Sequence, residues 1–169
     1  MYPDTRAVKQ SYREKVIPPD RDSVRRIVVE TGFFNEEEIL IAVELVDAHL
    51  AHGKESGYHF LFCEDEEGRV LGYTCYGPIT GTQSSFDLYW IAVDPGFQGR
   101  GIGRDLLLRT EEVILSMGGS RVYIETSSRD LYKPTQKFYF QAGYVNEALL
   151  EDFYAPGDGK IIYVKALAG

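Results

Sequence analysis

Residues 85–117 read SFDLYWIAVDPGFQGRGIGRDLLLRTEEVILSM, and the order of residue types along them decides the fold. Phe86 to Val93 is an apolar and aromatic run of strand length, which Asp94-Pro95-Gly96 brings to a stop. Gln98-Gly99-Arg100-Gly101-Ile102-Gly103 follows, and beyond it Leu106, Leu107, Val113 and Ile114 recur at helical spacing. A strand that breaks into glycines and then opens a helix leaves main-chain N–H groups without intrahelical partners. The helix dipole adds partial positive charge at the same end, so the junction suits a phosphate or pyrophosphate. The spacing excludes two familiar phosphate binders. A nucleoside-triphosphate loop needs Gly-Lys followed by Ser or Thr, which occurs nowhere in the chain. The dinucleotide pattern G-x-G-x-x-G, begun at Gly99, would need glycine where Arg104 stands.

The chain around this stretch has 169 residues, a single-domain length, with 44% hydrophobic residues and twelve tyrosines, as expected of a folded domain. No run approaches the roughly 20 apolar residues a spanning helix requires, and the N-terminal residues lack the apolar centre of a signal peptide. Cys63 and Cys75 lie in apolar strand-like runs and read as two buried thiols, which fits a cytoplasmic protein. A net charge of −8 without a Lys/Arg stripe argues against nucleic acid as a partner. The same charge serves solubility, and it is compatible with a cationic, amine-bearing substrate.

Working outward, Met1–Asp22 is polar and carries Pro18-Pro19, so it reads as an N-terminal arm preceding a domain over 23–169. Val24–Thr31, VRRIVVET, reads as the first strand. Asn35 is placed to cap a helix with Glu36, Glu37 and Glu38 in its first turn; Ile39, Val43, Val46 and Leu50 form its apolar face, and Gly53 ends it. His49 and His52 near its end have no third ligand close by and read as solvated or dipole-facing rather than metal-binding. Tyr58–Glu64, Arg69–Tyr76 and Phe86–Val93 make an antiparallel meander. Arg121–Thr126 follows the central helix and lies parallel to Phe86–Val93 through a strand–helix–strand crossover. Pro134 opens a helix to Ala142, and strands Tyr144–Phe153 and Lys160–Ala166 close the chain. The order β, α, β, β, β, α, β, α, β, β predicts a single-domain α/β fold with a mixed, mostly antiparallel sheet flanked by helices.

The pattern Gln98-x-x-Gly101-x-Gly103 resembles the coenzyme A pyrophosphate loop of the GNAT superfamily of acyltransferases. A second motif agrees with it. Phe138-Tyr139, Gly143 and Tyr144 reproduce the superfamily's aromatic-Tyr-x-x-x-Gly-aromatic pattern. The resemblance runs from Val24 to Ala166, although the superfamily usually has one more short helix between its first two strands. It implies an acetyl-coenzyme A-dependent N-acetyltransferase acting by direct attack of a primary amine in a ternary complex. Acetyl-coenzyme A would be the co-substrate and no metal is called for. The pyrophosphate would lie on Gln98, Gly99, Arg100, Gly101, Ile102, Gly103 and Arg104, and the thioester beside the main chain of Ile91, Ala92 and Val93. The implied acceptor is a small-molecule amine in preference to a protein, with no membrane partner, and homodimers are common in the family. A non-catalytic acyl-coenzyme A-binding module is the alternative.

Three residues are candidates for proton transfer. The resemblance gives Tyr139 the task of protonating the departing thiolate, while an aromatic cluster of Phe138, Tyr139 and Phe140 packing the helix is the competing reading. A carboxylate eleven residues before the loop glutamine serves some members as base, which points to Asp87; Glu125 near the end of the parallel strand is the second candidate. Either could instead be a surface charge or a salt-bridge partner. Tyr132 stands where many members carry a coenzyme-contacting Asn. Trp90 reads equally as core or as pocket wall.

Overall fold

The computed structural model describes residues 8–168. Seven strands, β1 (Ser11–Arg13), β2 (His59–Glu64), β3 (Val70–Pro78), β4 (Ser85–Val93), β5 (Arg121–Ser127), β6 (Val145–Ala155) and β7 (Asp158–Ala166), form one sheet in the order β1-β2-β3-β4-β5-β7-β6. Four helices accompany it: α1 (Asp20–Thr31), α2 (Glu36–His52), α3 (Ile102–Ser116) and α4 (Lys133–Gln141). The β2-β3-β4 meander, the parallel β4–β5 pair and the antiparallel β5–β7–β6 end follow the expected architecture. No helix among the described residues is long and apolar enough to cross a membrane.

The start of the chain differs from expectation. Val24–Thr31 is the body of α1, not the first strand. Its β-branched residues suggest a strand, but Val24, Ile27 and Val28 are the buried ones, and that spacing is helical. Pro18-Pro19 stand just before the helix, Asp20 and Asp22 lie in its first turn, and Gly32 ends it in a left-handed conformation. The first strand is instead Ser11–Arg13, paired with Glu64–Phe62 of β2. The predicted arm therefore does not end at Asp22, because its described part supplies a strand and the first turn of a helix; Met1–Ala7 fall outside the described residues. Arg13 fastens this part. Its guanidinium pairs with the buried Asp20 at 2.8 Å and with Glu64 at 2.6 Å, over the ring of Phe62. With α1 counted as a helix, two helices separate the first two strands, so the extra superfamily helix is present. Asn35 caps α2 through a reciprocal capping box with Glu38, as the sequence indicates.

Contacts divide the chain into two compact units. The first takes in the chain up to Cys75 together with Trp90–Leu107. Its core gathers Val24, Ile27 and Val28 of α1, Ala42 and Val46 of α2, and Phe60, Phe62, Tyr73, Cys75 and Ala92 of the strands. Burying each large apolar side chain of this kind contributes about 1.5–3 kcal/mol. Phe34 packs at 4.7 Å on Trp90, which is partly buried against this core. Tyr73 packs beside the mutually stacked rings of Phe60 and Phe62, its hydroxyl buried and without a hydrogen-bond partner among the described residues. Both cysteines are buried, and neither forms a disulfide among the described residues. His49 is half-buried in the last turn of α2, as the dipole-facing reading has it, with a ring nitrogen 2.6 Å from the Tyr58 carbonyl oxygen and its ring edge-on to Phe60.

The second unit comprises Tyr76–Tyr89 and the chain from Leu108. Here Phe86, Val122 and Ile124 are buried on one sheet face. Gly119 sits where any side chain would collide, because a Cβ would meet Ile114 at 2.4 Å and Phe86 at 2.7 Å. Glu111 of α3 accepts from the Tyr144 hydroxyl at 2.9 Å and from Lys165 at 2.9 Å, and Lys165 also donates to the Ala142 carbonyl at the end of α4. That network ties α3, α4 and β7 together. Strands β3 and β4 and helix α3 run through both units.

Candidate active site

In the first unit, β4 ends at a carboxylate. Asp94 is buried, and its oxygens accept from Arg26 at 2.7 Å, from Arg69 at 2.9 Å and from the Gly96 N–H at 3.0 Å. Burial opposes its charge, but Arg69, the Gly96 amide and Arg26 together hold the carboxyl below the usual range. The Asp94 N–H in turn donates to the Leu71 carbonyl at 2.7 Å, so the start of the turn is pinned to β3. In the sequence Asp94 marks only a strand stop. Its two arginines come from α1 and from the turn before β3, and no local pattern announces them.

The turn then passes through Pro95–Phe97, one turn of 3-10 helix, into the glycines. Gln98 folds back, its amide donating to the Val93 carbonyl at 3.2 Å. The glutamine of the motif thus braces the loop. Gly99 and Gly101 have φ of 75° and 84°, a region glycine enters without the Cβ penalty of other residues. Helix α3 begins at Ile102, and the Asp105 N–H reaches the Gly101 carbonyl at 3.0 Å, so the amides just before Asp105 belong to the turn that has no intrahelical acceptor. Ile102, Leu106 and Leu107 are buried and anchor the helix while Arg100 and Arg104 are exposed. Arg100 lies over the Phe97 ring at 5.2 Å. Gly72 of β3 lets this junction pack closely, because a Cβ there would meet the Ala92 carbonyl at 3.0 Å and Leu106 at 3.1 Å. The result is a bare, braced backbone turn at a helix N-terminus with two guanidinium groups on its exposed side. That chemistry fits a pyrophosphate.

In the second unit the three proton-transfer candidates divide between two sheet faces. The parallel pairing of β4 with β5 matches Ser85–Asp87 to Arg121–Tyr123 and ends there, while β4 continues to Val93 and β5 to Ser127. Asp87 lies opposite Tyr123, so Glu125 is its diagonal neighbour on the same face. Half-burial raises the Asp87 carboxyl to about 6; the negative charge of Glu125 adds to this and Lys160 opposes it. Glu125 pairs with Lys160 at 2.8 Å, so it is a salt-bridge partner. Tyr139 belongs to the other face. It is buried on α4, with its ring 5.8 Å from Tyr163, 5.9 Å from Tyr144 and 5.5 Å from Phe138. The aromatic cluster is therefore real, although Phe140 is 75% exposed and takes no part in the packing. Burial, with Tyr163 adding, pushes the Tyr139 phenol well above its ordinary value, so it keeps its proton at neutral pH.

Residues 22–144 match the acetyltransferase (GNAT) family. A crystal structure from Desulfovibrio desulfuricans, assigned to the same family, superposes with a TM-score of 0.93 at 46% identity, over 95% of this chain and all of that one. The Bacillus subtilis N-acetyltransferase YuaI is 33% identical over 53% of this chain, which spans about half of that relative's length. An aminoglycoside 6'-N-acetyltransferase crystallised with coenzyme A shares the fold at a TM-score of 0.73 and 17% identity, over 95% of this chain and 98% of that one. The chain belongs to the GNAT family of acetyltransferases. It is an acyltransferase enzyme.

Proposed function

We propose that the enzyme moves an acetyl group from acetyl-coenzyme A to the primary amine of a small molecule by direct attack. The observation that carries this reading is the braced glycine turn opening α3, a pyrophosphate cradle that costs helix propensity and brings no packing in return. Acetyl-coenzyme A supplies the activated thioester. Amides of Gly101, Ile102, Gly103 and Arg104 would hold its pyrophosphate, with Gly99 giving the backbone room and Arg100 and Arg104 adding charge. The main chain of Ile91, Ala92 and Val93 would align the acyl arm and offer N–H groups to the carbonyl oxygen as it gains charge.

An alkyl ammonium of pKa near 10 must lose its proton before attack. Asp87, poised at about 6, takes it. The freed nitrogen forms the new bond to the acyl carbon as the carbon–sulfur bond breaks, and the electron pair leaves on sulfur. Tyr139, on the opposite sheet face from Asp87, would donate to that sulfur where the β4–β5 pairing has ended. Because its phenol is the weaker acid of the pair, the donation stabilises the thiolate while it departs, and solvent completes the protonation. The acidic chain, with net charge −8, favours approach of a cationic acceptor.

Thermal melting with acetyl-coenzyme A, followed by thiol release across a panel of amines, tests the reading. Coenzyme at 100 times its Kd should add about 2.7 kcal/mol of stability. No melting shift would remove the cradle, and a shift without thiol release for any amine would remove the acetyl transfer.

A further inference from the structure

Asp87, Glu125 and Lys160 share one sheet face but are not equivalent. Lys160 stands opposite Ser127 in the β5–β7 register, which brings its side chain diagonally to Glu125. The Lys160 side chain is only 13% exposed, and its ammonium lies 4.3 Å from the centre of the Phe153 ring. Its position is fixed by the start of β7. The Ser127 hydroxyl hydrogen-bonds Asp158, Arg129 pairs with Asp158 at 3.2 Å, and the Gly159 N–H donates to Ser128 Oγ at 2.8 Å. Leu150 of β6 is its cross-strand neighbour on the far side. Among the described residues Asp87 has no ion pair of its own.

We propose that Lys160 is a positioning residue of the acetyl-transfer site: it holds Glu125 in an ion pair and so leaves Asp87 as the carboxylate that receives the acceptor's proton. The inference rests on the acetyl-transfer reading above. Two carboxyl groups that are diagonal neighbours on a sheet face raise each other's proton affinity when no cation engages either of them, and the choice of base is then poorly defined. Lys160 removes that ambiguity by engaging Glu125 in an ion pair. The charged groups facing Asp87 are then Glu125, which disfavours its ionisation, and Lys160, which favours it; Tyr123 is its neutral cross-strand partner.

The test uses the full chain and opposite signs. The acid limb of kcat/KM reports the base in the free enzyme. In Lys160→Met the limb should move to higher pH by about one unit, because the favourable charge is gone. In Glu125→Gln it should move to lower pH by about as much, because the unfavourable charge is gone and Lys160 is released toward Asp87. Lys160→Arg should hold the limb where the wild type has it. Carboxyl-carbon NMR of Asp87, recorded without substrates, should titrate in the same order: Lys160→Met highest, wild type between, Glu125→Gln lowest. A merely structural Lys160 would lower the melting temperature and leave both readouts unmoved, and that result overturns the proposal. So does a shift of the two variants in the same direction, or an Asp87 titration that moves while the limb does not. If the wild type acetylates no amine, the acetyl-transfer reading falls, and the NMR order still decides whether Lys160 controls Asp87.

Discussion

Asp87, near the start of β4, and Asp94, just past its end, are the same residue type in opposite environments. Asp94 is buried yet held ionised by two guanidinium groups and an amide, and acts as a fixed strut for the glycine turn. Asp87 is only half-buried, but the charges acting on it are a carboxylate and a lysine already paired with that carboxylate, and its carboxyl is raised to about 6, which suits the proton-accepting role proposed for it. Donors supplied from other elements, more than depth, decide which role a carboxyl group takes.

The contrast can be broken most severely by amidation of each residue. Asp87→Asn should lower kcat/KM by about 10²–10³-fold and leave acetyl-coenzyme A uptake intact, as steady-state rates and calorimetry would show. An unchanged rate would return Asp87 to the role of an ordinary half-buried charge. Tyr139→Phe should cost about 10²-fold in turnover with little change in melting; a collapse in melting with turnover preserved would favour the packing role alone. Asp94→Asn should leave Arg26 and Arg69 without their shared partner and cost about 2 kcal/mol of stability at neutral pH, since both arginines are partly exposed. The folded Asp94 carboxyl lies below its unfolded value, so this stabilisation is present above about pH 4 and fades as the pH falls through the folded pKa.

The sign reverses for Asp87. A folded value near 6 means that its ionisation opposes folding above that pH, and the opposition vanishes below about pH 4. Asp87→Asn should therefore be more stable than the wild type at about pH 8, by roughly 1 kcal/mol after solvent screening, with the gap closing as the solution is acidified. Chemical denaturation of both Asn variants across pH sharpens the comparison. Two curves of the same sign would dissolve it. The smallest effect is expected at Gly101→Ala, where φ of 84° costs about 1 kcal/mol and coenzyme affinity should weaken as the turn is strained.

The parts of this design that could be read in advance are local. The glycine turn lies between a strand and an amphipathic helix within one stretch, and Asn35 and Glu38 cap α2 across three residues. Val24–Thr31 misleads because β-branching speaks for a strand while the spacing of Val24, Ile27 and Val28 speaks for a helix, and the core heeds the spacing. What could not be read is long-range. Arg26 and Arg69 reach Asp94 from distant positions, and Lys160 reaches Glu125 only because β7 lies antiparallel beside β5 in a particular register. Asp87 and Glu125 were findable as carboxylates on strands, but which of them is paired depends on a lysine that no motif marks.

Gly119, where α3 hands the chain to β5, has a consequence for anyone diversifying this enzyme. Because Ile114 and Phe86 crowd the space where a first carbon would go, saturation of that codon should return glycine alone among folded survivors, whatever acceptor is used for selection. Position 119 is thus a built-in control that reports whether a library was screened for folding before it was screened for chemistry.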